Sequence, residues 1–331
     1  MSEIRTNPFT GEMTLYAENR KNRPYEFVHK TQAKDTNNEN CPFCGGHERW
    51  TTDAVYQDGP DGAWQMRVFP NMFPAVREDC EEMEGEAFYE MAAGRGRHEV
   101  LVDTPDHNET IDQFSEERIE KVLQVLQDRL NNFRARKHTQ YVQIFKNCGP
   151  SAGMSVRHSH WQVTGLPVVP RRAAVMAEKM QGDDCLFCKM LTYEKEQGKR
   201  IAGETEHFLA ITPYAGRFPY ELWLAPKAHQ RDFGDMNDAE RKDLAHLLWE
   251  MLQKVTGLKE DVGYNICVMD GPRNTDFHWH IEILPRIGGF AGFEYILHSL
   301  RLHSQFFPDF SQKASHALGI RHLPYLPLRL L

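Results

Sequence analysis

Apolar residues recur at helical spacing in two stretches of this chain. After Ser115, the positions Ile119, Val122, Leu123, Leu126, Leu130 and Phe133 fall on one face of a helix. After Asn237, the positions Leu244, Leu247, Leu248, Met251 and Val255 do the same, and Asn237 with Glu240 has capping-box spacing. Short runs rich in β-branched and aromatic residues flank each helix and read as strands. Residues 99–103 precede the first helix, with 141–145 and 160–163 following; residues 221–225 precede the second, with 264–268 and 278–283 following. One sequence of elements occurring twice predicts an α+β fold with a mainly antiparallel sheet and flanking helices. Residues 167–184, with Pro, Arg and Gly, read as the link between two halves, 1–170 and 171–331. The tail from about Phe306 has little regular pattern.

The chemistry repeats with the elements. The first half carries a C-x-x-C pair (Cys41, Cys44), then His107, then His158 and His160. The second carries Cys185 and Cys188, then His229, then His278 and His280. His158 follows His107 by 51 positions and His278 follows His229 by 49. Chance supplies one C-x-x-C readily; it is a poor account of one ordered pattern met twice. Two thiolates with two distant imidazoles make a tetrahedral donor set suited to zinc, with iron also open to thiolate ligands. The sites predicted are Cys41, Cys44, His107 and His158, and Cys185, Cys188, His229 and His278. Four protein ligands close the shell, so both would be structural. His98 competes with His107 for the third place in the first set. Cys80, Cys148 and Cys267 lack partner spacing and read as plain buried thiols.

On a strand, alternate side chains share a face, so His158, His160 and Gln162 are expected to point the same way. With His158 pinned to a metal, His160 is braced beside it as a phosphorus nucleophile, and Gln162 can donate to a phosphate oxygen. The loop from Asn147 to Ser155, with two glycines, can present N–H groups and the Ser155 hydroxyl to an anion. His280 occupies the nucleophile's place in the repeat, but Glu282 replaces the glutamine and no equivalent loop precedes it. A second active centre there is therefore the weaker reading.

Composition narrows the classes. The chain has 331 residues, 40% hydrophobic and 26% charged, as in ordinary globular domains. A net charge of −8 argues against a dedicated nucleic-acid binder. No apolar run long enough to span a bilayer is present, and the first ten residues lack the apolar core of an export signal. Seven cysteines, four of them in C-x-x-C pairs, suit a reducing compartment, so a cytoplasmic enzyme without membrane or nucleic-acid partners is expected.

These residues resemble the galactose-1-phosphate uridylyltransferase family, a duplicated branch of the histidine-triad superfamily. The likeness runs from about Asn7 to Glu294. It includes the segment Asn7 to Glu12 with Arg20 to Pro24, the Cys41/Cys44 pair, the segment Val68 to Ala75, and Phe145 through Gln162. The resemblance implies a duplicated histidine-triad fold and a homodimer. It also implies transfer of a UMP (or AMP) group from a nucleoside diphosphate hexose to a hexose 1-phosphate through a nucleotidyl-histidine at His160. By the same resemblance Asn147, Ser155 and Gln162 contact phosphates, Asn71 the nucleoside, Arg20 and Arg23 the phosphate charge, and Glu294 the hexose.

Ser159 stands where the family's middle proline is usual, a form similar to an ADP-glucose phosphorylase branch that moves an adenylyl group to phosphate. No match is found for the glutamate of the second-half iron site that some members carry. A lysine that helps bind the sugar phosphate is replaced near Gly288 and Gly289, and Met72 stands where an acidic nucleoside contact is common. Two further readings remain: a phosphorylase or hydrolase of dinucleoside polyphosphates using the same histidine, and a non-catalytic metal-stapled nucleotide binder.

Overall fold

The computed structural model describes residues 2–18, 20 and 39–288. The first half contributes strands β1 (Ser2–Thr6), β2 (Met13–Ala17), β3 (Tyr56–Gln57), β4 (Arg67–Pro70), β5 (Met91–Ala93), β6 (Arg97–Val102), β7 (Tyr141–Cys148) and β8 (His160–Leu166). The second contributes β9 (Ile201–Glu204), β10 (Phe208–Ile211), β11 (Leu222–Pro226), β12 (Tyr264–Met269) and β13 (His280–Pro285). Four helices accompany them: α1 (Glu116–Arg134), α2 (Arg171–Lys179), α3 (Leu186–Gln197) and α4 (Asp238–Thr256).

Strands β2, β1 and β5 form a small sheet. The other ten form one sheet in the order β3-β4-β6-β8-β7-β12-β13-β11-β10-β9, antiparallel at every pairing. The order reads alike from either end toward the middle, where β7 pairs with β12. The α+β architecture predicted from the pattern is the one observed. Strands β8 and β13, which open on His160 and His280, occupy matching places on either side of that seam.

Both long helices begin where their caps dictate. The Ser115 side chain accepts from the Arg118 N–H, and Asn237 and Glu240 form a reciprocal capping box. Helices α1 and α4 pack against each other over one face of the sheet, and their apolar stripes join Trp161, Val163, Trp279 and Ile281 in one core. Gly165 lets α1 come close: a Cβ there would meet the Phe133 ring at 2.8 Å.

The stretch read as the link holds helix α2, which buries Ala173 and Ala177. The first of the histidine-pair strands begins at His160, as predicted, while the second begins at His280, two residues later than the predicted run 278–283. The physical reason is local: the carbonyls of His158 and His278 accept from the imidazoles of His160 and His280.

Candidate active site

The four cysteines and four histidines of the repeat form two compact groups. In each, one donor atom from every residue lies within 4.8 Å of the others. In the first group Cys41 Sγ is 3.6 Å from His158 Nδ1, and Cys44 Sγ is 3.5 Å from both His107 Nδ1 and His158 Nδ1. The ring tautomer follows from the second contact of His158. Its Nε2 lies 2.7 Å from the carbonyl of Thr104, which can only accept, so Nε2 carries the proton and Nδ1 faces the sulfurs bare. The second group repeats this logic. Cys188 Sγ is 3.3 Å from His229 Nδ1 and 3.2 Å from His278 Nδ1, and His278 Nε2 donates to Pro226 O at 2.8 Å. Bare imidazole nitrogens and thiols converging at this range fit a tetrahedral metal. The groups differ in cover: all four residues of the first are buried, whereas Cys188 is half-buried and His229 exposed. Among the described residues His98 joins neither group.

His160 sits at the start of β8, on the sheet face away from α1. Its Nδ1 donates to the carbonyl of its neighbour His158 at 2.8 Å, which leaves Nε2 with the free lone pair. Burial pushes its pKa down to about 4, so the ring is neutral near pH 7. A cavity of about 470 Å³, sized for a nucleotide, lies against it. Gln162, Ser155, Asn71 and Arg20 share its wall with His160, together with four aromatic rings (Phe43, Trp50, Phe69 and Phe73). Phe43, between the two cysteines of its pair, meets the His160 ring edge-on at 5.2 Å.

Ser159 points to the opposite face. Its hydroxyl lies 2.7 Å from Nζ of the buried Lys146, which also pairs with Asp103 at 2.8 Å. A proline could not accept that hydrogen bond, so serine between the two histidines goes with a lysine under the strand.

Asn147 is not brought to the His160 cavity. It lines a second cavity, of about 320 Å³, and its Oδ1 accepts from Asn265 Nδ2 at 2.8 Å. Arg23 and Glu294 lie outside the described residues. Of the aromatic wall, Phe69 and Phe73 lie in the segment Val68 to Ala75 that carries the family resemblance and Phe43 lies inside the C-x-x-C pair, whereas Trp50 belongs to no sequence motif.

At the matching place in the second half, the space is filled. Val100 on β6 pairs with Gln162, whereas Trp223 on β11 pairs with Glu282. The Trp223 ring lies 5.3 Å from His280, with Phe187 stacked at 4.8 Å on the same imidazole. His280 is 0% exposed against 7% for His160. Glu282 is clamped by Arg172, at 3.0 Å to Oε2, and by Arg217 at 2.6 Å. Burial alone would raise its pKa; contacts from His280 and Arg172 outweigh it and hold the carboxylate ionised far below the usual range.

Comparison with known proteins places this arrangement. The description "Galactose-1-phosphate uridyl transferase, N-terminal domain" matches residues 1–170, and the corresponding C-terminal domain matches 173–287. ADP-glucose phosphorylase of Arabidopsis thaliana is 29% identical over 306 residues, covering 88% of this chain and 86% of that protein. Galactose-1-phosphate uridylyltransferase of Thermotoga maritima is 28% identical over 298 residues, covering 86% and 87%. A crystal structure of an ADP-glucose phosphorylase from Arabidopsis thaliana with bound ADP-glucose superposes with a TM-score of 0.67 at 28% identity, covering 90% of this chain and 94% of that one. With one domain description or the other matching almost all the described residues, the chain belongs to the galactose-1-phosphate uridyl transferase family and is a nucleotidyltransferase.

Proposed function

We propose that His160 Nε2 attacks the α-phosphorus of a nucleoside diphosphate hexose. The N–P bond forms as the bond to the bridging oxygen breaks; a hexose 1-phosphate leaves and a nucleotidyl-histidine remains. A second phosphorylated acceptor then attacks that phosphorus and frees the imidazole. The observation that carries this reading is the fixed tautomer of His160: a neutral ring, tied through Nδ1, beside a nucleotide-sized cavity. Gln162 and Ser155 supply donors for oxygens whose charge grows in the transition state. Arg20, held at 3.2 Å by the Phe73 carbonyl, brings positive charge to the same wall. The aromatic rings take the base by stacking. Asn147, held by Asn265 in the second cavity, contacts no phosphate at His160 in this reading.

The donor sets suit zinc in both halves: His107 and His158 with Cys41 and Cys44, and His229 and His278 with Cys185 and Cys188. Four protein ligands leave no open position, so the metal would brace the fold, in the first half by fixing the residue that holds His160. The division at residues 170 and 171, a cytoplasmic homodimer, and sugar-phosphate contacts from Arg23 and Glu294 belong to the same reading.

One observation favours a second reading, in which AMP moves from ADP-glucose to phosphate. The cavity wall holds four aromatic rings and no carboxylate among the described residues, and Met72 stands half exposed at its rim, which suits the larger π face of adenine. Product analysis decides. The enzyme is given UDP-glucose or ADP-glucose, each with galactose 1-phosphate or with phosphate. A new UDP-hexose supports uridylyl transfer; phosphate-dependent ADP from ADP-glucose supports the second reading. Consumption of neither donor contradicts both.

A further inference from the structure

His98 is buried behind the wall of the catalytic cavity, against the lining residues Gln162 and Asn71, though its position in the sequence made it a competitor for the third metal ligand. Its contacts determine which nitrogen bears the proton. The backbone N–H of Ala75 points at Nδ1 from 3.1 Å, and an amide nitrogen can only donate. Nδ1 is therefore the bare acceptor, and Nε2 carries the proton. That proton faces Gln162 Oε1 at 3.0 Å. The opposite tautomer would let Asn71 Nδ2 donate to Nε2 across 3.3 Å, but it would set two N–H groups against each other at Ala75. Turning Asn71 would not relieve this, because its amide faces Nε2 rather than Nδ1, and its Oδ1 accepts from the Phe73 N–H at 2.8 Å.

We infer that His98 is a positioning residue that orients the Gln162 amide. With Oε1 held by the imidazole, the Gln162 NH₂ is left for the phosphoryl oxygen that becomes charged as His160 attacks. Without His98 the amide is free to turn, and half of its orientations present an oxygen to that oxygen. One fixed imidazole thus selects donor over acceptor at the reacting centre. The inference rests on the proposed donor role of Gln162, and the experiment separates the two.

The test combines rapid-quench measurement of His160 nucleotidylation with a double-mutant cycle on the full-length enzyme. Removal of a single transition-state donor costs about 10²-fold or more, so Gln162→Ala is expected to lose at least that in kcat with little change in donor KM. His98→Phe is expected to lose about 10-fold to 100-fold, again in kcat. The double variant should be no slower than Gln162→Ala alone. His98→Gln, which keeps a donor toward Gln162, should recover part of the rate. Imidazole ¹⁵N spectra of the wild-type protein should show His98 protonated on Nε2, a readout that stands even where His98→Phe fails to fold. A Gln162→Ala variant at wild-type rate overturns the donor role itself. A normal loss in Gln162→Ala with losses that multiply in the double variant, or a His98 proton on Nδ1, overturns the positioning role and leaves the donor role intact.

Discussion

The two halves of this molecule hold the same skeleton and differ in what stands over the second histidine of each pair. In the first half His160 looks into a cavity, with Val100 and Gln162 paired across β6 and β8. In the second half the paired positions are Trp223 and Glu282, and the indole and the Phe187 ring close over His280. The phenylalanine between the cysteines is common to both, as Phe43 and Phe187, so it is not what separates them. A valine-to-tryptophan difference removes the space, and a glutamine-to-glutamate difference replaces a neutral donor by a charge that two arginines must then balance. Duplication preserved the cysteine–histidine groups and the sheet order, while these two paired positions differ between the halves.

The largest expected break in the symmetry concerns the metals. Structural zinc contributes on the order of 10 kcal/mol where it is all that holds a small domain together; here one core spans both halves, so losing a single metal should lower stability without unfolding the chain. The second group, with Cys188 half-buried and His229 exposed, should yield its metal to a chelator first. Release followed with a chromogenic indicator should be biphasic. Transferase activity should survive the first phase and fall with the second. Activity that falls with the first phase would mean the halves are not separable in this way.

Smaller effects test the filled site. Glu282→Gln leaves Arg172 and Arg217 short of a counter-charge; because both arginines are partly exposed, we expect a loss of about 2 to 3 kcal/mol in urea unfolding. The rate of the folded enzyme should not change. Trp223→Val copies the first half's residue into the second and should cost about 1 to 3 kcal/mol for a half-buried ring. It should make His280 reactive toward diethyl pyrocarbonate, mapped by peptide mass spectrometry, without making it accept a nucleotide. If this one change does yield a nucleotidyl adduct on His280, steric closure alone separates the halves and the charge on Glu282 is immaterial.

The smallest effect lies where α1 meets α4. Glu116 accepts from His246 at 3.0 Å and raises its pKa. The shift comes first from that hydrogen bond, with burial opposing it. A raised pKa in the folded state means the contact stabilises fully below the unfolded value near 6.5 and is lost as pH rises through the raised value. Both side chains are largely exposed, so the contribution is a few tenths of a kcal/mol. Thermal unfolding of wild type and His246→Gln should differ slightly at about pH 6 and coincide at about pH 9.

The helices, their caps and the repeated cysteine and histidine positions could be read from the sequence because each depends on local spacing. Strands β4, β9 and β10 could not, being four residues each, too short to show a period; β9 is an edge strand with only Ala202 buried. The convergence of Cys41, Cys44, His107 and His158 followed from the repeat, whereas the partner of His98 did not. Choosing between His98 and His107 as neighbour to the cysteines needs the register of β6 on β8, which sets His98 two strand positions from Gln162's own partner, Val100. The closed state of the second half was hidden for the same reason: Trp223 and Glu282 are 59 residues apart in sequence and become a pair only when β11 meets β13. The displacement of Asn147 from the His160 cavity likewise depends on Asn265, across the seam between halves.

Of the two repeated histidines, His160 is expected to carry the nucleotide and His280 is not. The most direct test is to quench the enzyme with a nucleoside diphosphate hexose in the absence of acceptor, measure its intact mass, and map the adduct by peptide sequencing under conditions that keep the N–P bond. One nucleotidyl group per chain is expected, on His160, absent from His160→Gly and unaffected in kind by Trp223→Val. An adduct on His280, or an adduct that persists in His160→Gly, would contradict it.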